Sequence, residues 1–124
     1  MTPFGARVRE LRAAKDIRLK EMALDLQVSS AYLSALEHGK RGRPGPGLVM
    51  QIANYFGLIW DEVDDLKRLA QLSHPRIAVD TGGLTPKATL LANLIARHIH
   101  ELDDGTITRI LNEMGFDEEA GQGT

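Results

Sequence analysis

The chain has 124 residues, 43% hydrophobic and 26% charged, enough for one modest core with an appendage and too little for two independent catalytic scaffolds. It contains no cysteine, which excludes disulfide frameworks and the common structural zinc sites and fits a reducing compartment. No apolar run is long enough to span a bilayer and no charged start leads into a hydrophobic block, so a cytoplasmic protein without a membrane partner is expected. The net charge of −2 hides a gradient along the chain. Residues 1–57 carry nine Lys/Arg against five Asp/Glu, a balance of +4, and residues 58–124 carry six against twelve, a balance of −6. A polyanion is drawn to the first half and repelled by the second.

Phe4, Val8 and Leu11 recur at helical spacing with Arg7, Arg9, Glu10 and Arg12 between them, which predicts a first helix over residues 3–15. Pro3 sits where a helix start needs no N–H. A second helix over 19–26 turns Met22, Ala23 and Leu26 inward, and Gln27 takes the turn. Ser29 is a good N-cap for a third helix over 30–37, with Leu33 and Leu36 inward and Gly39 as its left-handed stop. Residues 40–47, rich in glycine and proline, read as a loop. A fourth helix over 46–56 buries Val49, Ile52, Ala53 and Phe56. A fifth, from Trp60 to Leu72, carries Val63, Leu66, Leu69 and Ala70, with Trp60 read as a core plug.

His74-Pro75 ends that helix, and residues 75–83 hold a short extended piece and a turn. Thr85-Pro86 supplies an N-cap and first position for the longest helix, 86–102, striped by Leu90, Leu91, Leu94, Ile95, Ile99 and Leu102. Asp103-Asp104-Gly105 breaks the chain before a last helix over 106–114 that presents Ile107, Ile110, Leu111 and Met114. The implied layout is a domain over 1–73, a linker over 74–84, a helical region over 85–116 and a disordered tail over 117–124.

The two short segments around the Gln27 break outline a helix-turn-helix and make double-stranded DNA the leading partner. The pattern extends further: Arg12; Met22-Ala23 and Leu26-Gln27-Val28-Ser29; Tyr32-Leu33 and Leu36-Glu37; Gly39-Lys40; Ile52-Ala53 with Phe56-Gly57; and Trp60-Asp61-Glu62-Val63. With these residues the chain resembles the Cro/cI-like, or xenobiotic-response-element, family of bacterial and phage regulators over residues 4–66. The resemblance implies an all-α fold, a five-helix phage-repressor-like domain followed here by a helical extension.

It also implies that Arg12 pairs with Glu37 as scaffold, bracing the first helix against the third, and that the third helix enters the major groove. Ser29, Ser30, Ala31, Tyr32, Ser34 and Ala35 then form the DNA face. That face lacks the Arg, Gln or Asn that grips a base with two hydrogen bonds, so readout falls to serine hydroxyls, alanine contacts with thymine methyls and Tyr32. Arg18 and Lys20 before and in the second helix, and Lys40, Arg41 and Arg43 after the third, are the candidate phosphate contacts. Arg18-Leu19 stands where the family usually has Thr-Gln, so Arg18 or Lys20 takes over the phosphate clamp.

Two helices cannot bury the C-terminal stripes alone, so Leu90, Leu91, Leu94, Ile95, Ile99, Leu102, Ile107, Ile110 and Leu111 are the expected homodimer interface, with a lid over the chain's own core as the alternative. The expected function is a sequence-specific transcriptional regulator, a homodimeric repressor on a palindromic operator. The competing class is a protein-interaction module, such as an antitoxin or adaptor, that grips a protein partner through the same helices. Catalysis, metal and cofactor are not expected. His98 and His100 point to different helix faces without a third ligand at zinc spacing, the acidic run Asp61, Glu62, Asp64 and Asp65 reads as a solvated face, and no glycine-rich phosphate loop is present.

Overall fold

A helix begins where its first amides find partners outside the helix, and in this chain those partners also tie the helices together. The computed structural model describes residues 1–40 and 42–117, so Arg41 and the expected disordered tail, apart from Asp117, lie outside the described residues. Seven α-helices are described: α1 (Pro3–Ala14), α2 (Leu19–Leu26), α3 (Ser30–Glu37), α4 (Pro46–Tyr55), α5 (Trp60–Gln71), α6 (Pro86–His98) and α7 (Asp104–Glu113). A short 3₁₀ turn, Ile99–Glu101, follows α6, and no strand occurs among the described residues. The chain is all-α, as its periodicity requires, and divides into two units, Met1–Ile77 and the residues from Ala78 on.

In the first unit, α1 starts at Pro3, which has no amide hydrogen to satisfy. The next two amides are both paired: Phe4 donates to Ser73 Oγ at 2.9 Å and Gly5 to Thr2 Oγ1 at 3.0 Å. The Thr2 amide donates to the Glu37 carbonyl at 3.3 Å. The start of α1 is thus stitched to the end of α3 and to the segment after α5, with Thr2 and Ser73 both buried. Ser73→Ala strands the buried Phe4 amide and is expected to lower unfolding free energy by about 1–3 kcal/mol, read from the midpoint of urea denaturation.

The core takes Phe4 and Val8 from α1, Met22 and Ala23 from α2, Leu33 and Leu36 from α3, Val49, Ile52, Ala53 and Phe56 from and just after α4, and Leu66 and Ala70 from α5. Each fully buried large side chain contributes about 1.5–3 kcal/mol of transfer free energy, which makes this set the main stabilising term. Lys15 Nζ donates to the carbonyl of Phe56 at 3.2 Å, placing a cation at the negative end of α4. Tyr55 donates to Asp25 Oδ2 at 2.9 Å and ties α4 to α2. Desolvation, then the bond to Asp25, raises the Tyr55 phenol above its ordinary pKa.

Trp60 corrects the sequence reading: it is 84% exposed, not a core plug. It stands at the first position of α5 with φ of +43°, which swings its side chain off the stripe that Val63, Leu66 and Ala70 continue.

In the second unit, Thr85 caps α6 through the amide of Ala88, and Pro86 occupies the first position. The helix ends at His98, earlier than its periodicity suggests, because Leu102 turns extended ahead of the Asp103 cap. Asp103 accepts from the Thr106 amide at 2.7 Å, which starts α7 at Asp104. That backbone bond holds the Asp103 carboxyl below the usual carboxylate range. No helix of this unit contains a buried residue.

Candidate nucleic-acid interface

The corner between α2 and α3 forms because Gln27 adopts a left-handed conformation, φ of 60°. This lets the Val28 amide reach back to the Ala23 carbonyl at 3.0 Å and closes α2. Ser29 then runs extended and its hydroxyl accepts from the Tyr32 amide at 3.0 Å, so part of its hydrogen-bonding capacity is spent on the cap. At the other end Gly39, φ of 78°, allows the Lys40 amide to bond the Ala35 carbonyl at 2.8 Å. The helix is therefore stopped at both ends by chemistry legible in Ser29 and Gly39.

With Leu33 and Leu36 buried, α3 leaves Ala31 exposed and Ser30, Ser34 and Ala35 half-buried. Tyr32 packs part of its ring against the core. The outward side of α3 carries no charge, since its one acid, Glu37, is buried. His38, just after the helix, is exposed, and its Nδ1 lies 2.8 Å from the Ser34 carbonyl.

Glu37 meets Arg12 with two hydrogen bonds, Nε to Oε1 at 3.1 Å and Nη2 to Oε2 at 3.3 Å. The same guanidinium donates through Nη1 to the Ile17 carbonyl at 3.3 Å. Arg12 thus fixes α1, α3 and the loop into α2 at one point, which sets where Arg18 and Lys20 leave the scaffold. Arg18, Lys20, Lys40 and Arg43 are all exposed and none forms an ion pair with another described residue. They stand on the segments that flank α3 along the chain.

Gly5 is a positioning residue that the sequence reading does not single out. A Cβ built on it would lie 2.6 Å from the Glu37 Cα, so α1 crosses α3 at a distance only glycine permits. The available signal is a glycine inside an otherwise sound helix sequence. Ser73, which helps secure the same crossing, carries no comparable mark.

In the second unit, Leu90, Leu91 and Leu94 are 59%, 60% and 45% exposed, and Ile99 is also exposed. Ile95, Leu102, Ile107, Ile110 and Leu111 are half-buried. Among the described residues no three His, Asp or Glu side chains group to hold a metal ion, and no helix is long and apolar enough to cross a membrane.

Residues 3–66 match the family model of a helix-turn-helix domain. The HTH-type transcriptional regulator RghRB of Bacillus subtilis (strain 168), named as uncharacterized, is 42% identical over 53 residues, 43% of this chain and 38% of its own. The HTH-type transcriptional repressor RghR of the same strain is 34% identical over 65 residues, 48% of each chain. The chain spans less than half the length of these curated relatives, and no solved structure matches it. A capped α3 set against α2 through a left-handed turn, inside a five-helix unit that matches over residues 3–66, makes this chain a member of the helix-turn-helix domain family, of the xenobiotic-response-element type.

Proposed function

We propose that the protein is a homodimeric repressor that lays α3 in the major groove of a palindromic operator. The observation that carries this reading is the pairing of an uncharged outward face on α3 with exposed cations at Arg18, Lys20, Lys40 and Arg43 that form no ion pair among the described residues. Phosphate contacts from these residues and Arg41 hold the duplex, and Ser30, Ala31, Tyr32, Ser34 and Ala35 sample base edges. The Ser29 hydroxyl, already an acceptor in the cap, retains its proton for a phosphate or base. Repression is the role named for the relative RghR.

Dimerisation is supported by the second unit, whose helices expose Leu90, Leu91, Leu94 and Ile99 and hold no buried residue. A second copy covering this stripe gives the two-fold arrangement that reads two half-sites one DNA turn apart. Residues 1–73 act as the reading domain, 74–84 as the linker and 85–116 as the dimer arm in this scheme.

Sedimentation of the full chain, paired with gel shifts on fragments selected from genomic DNA, tests both parts. The expected result is a dimer whose log affinity falls linearly with log salt, with a slope shallower by about one unit for each phosphate that a variant no longer neutralises. Arg41→Ala/Arg43→Ala flattens that slope, and Leu91→Glu/Leu94→Glu gives monomers with half-site affinity. An affinity indifferent to salt removes the DNA reading. A chain that stays monomeric until another protein is added replaces the homodimer with the adaptor or antitoxin role.

A further inference from the structure

Between the first turns of α4 and the last turns of α5 lies an open groove of about 640 Å³, lined also by Arg43, Pro44 and Gly45 of the loop before α4. Its floor is apolar, formed by Pro44, Val49 and Ala70 with Met50 beside them. Arg43 and Lys67 stand exposed at its rim, and among the described residues no acidic side chain lines it and neither cation has an ion-pair partner. The volume falls in the range of small-molecule sites, about 300–1,000 Å³. Two cations beside apolar walls favour a ligand with one negative end and a greasy body, because each part of the groove is then matched.

We propose that this groove binds a small hydrophobic carboxylate, with its hydrocarbon body against Pro44, Val49, Met50 and Ala70 and its carboxylate at Arg43 and Lys67. Arg43 is also a candidate phosphate contact, so an occupied groove withdraws it from DNA and opposes operator binding. That regulatory consequence rests on the DNA-binding reading above, whereas the binding site does not.

The test titrates the ¹⁵N-labelled full chain with sodium decanoate below its micellar concentration, using decyltrimethylammonium and decanol as charge-reversed and neutral comparators. The expected result is saturable amide shifts at Val49, Met50, Ala70 and Gln71 with decanoate alone. Affinity weakens about fivefold in Lys67→Gln and about tenfold or more in Arg43→Gln/Lys67→Gln, both variants keeping the parent spectrum. Equal shifts with all three amphiphiles, shifts confined to α6 and α7, or full affinity in the double variant overturn the site. In a parallel gel shift on sheared genomic DNA, decanoate releases the parent chain, and about fivefold more is needed to release Lys67→Gln. Groove binding that leaves the DNA complex intact supports the site and removes Arg43 from the DNA contacts.

Discussion

Gly5→Ala is expected to destabilise the first unit by about 2–4 kcal/mol, reversing the sign that helix propensity alone gives. Alanine in place of glycine inside a helix normally gains up to about 1 kcal/mol. Here the new methyl would sit 2.6 Å from the Glu37 Cα and against its carbonyl group, and both are backbone atoms with no rotamer to escape through. Relief requires α1 and α3 to separate, which loosens the Thr2–Glu37 bond and opens the core between Phe4 and Leu36. Gly47→Ala in α4 is the control, since a Cβ there meets nothing within 4 Å. Urea denaturation of the two variants decides the matter. Equal midpoints for Gly5→Ala and the parent chain would show that the crossing is not tight.

Arg12→Ala is expected to cost a similar amount, about 2–4 kcal/mol, because it leaves the Glu37 carboxylate buried without its partner and frees the Ile17 carbonyl as well. The Arg12→Met/Glu37→Met pair is expected to recover most of that loss, since an apolar pair of similar volume carries no desolvation penalty. Arg12→Lys falls between them, as an ammonium cannot fork to both carboxylate oxygens and still reach the loop. Thermal melts followed by circular dichroism give all three values. A double variant as unstable as Arg12→Ala would show that the pair contributes net stability and not mainly one geometry.

The helices are legible in the sequence because their signals are local. Leu33 and Leu36 mark the inner face of α3, Ser29 and Gly39 mark its ends, and Gln27 marks the turn; each acts within four or five residues of itself. Phe4, Val8, Ile52 and Leu66 likewise declare themselves by spacing and are buried. What stays hidden is set by partners distant in sequence. Gly5 owes its role to Glu37, and Ser73 owes its burial to the Phe4 amide, 69 residues away. Trp60 misleads for a related reason, since its size suggests burial while one backbone angle turns it to solvent. Asp103 lies in a stretch that composition marks only as a break, and its bond to the Thr106 amide shows it as the cap that starts α7 two residues early.

The second unit has well-capped helices and yet no helix of it holds a buried side chain. Ordering a segment costs about 1–2 kcal/mol per residue in backbone freedom, and a stretch without an interior has little to set against that. In the proposed homodimer that order is borrowed from the second copy, which covers Leu90, Leu91 and Leu94. Protein dose then becomes a variable of the fold itself: dilution should soften this arm and invite proteases while the five-helix unit stays intact.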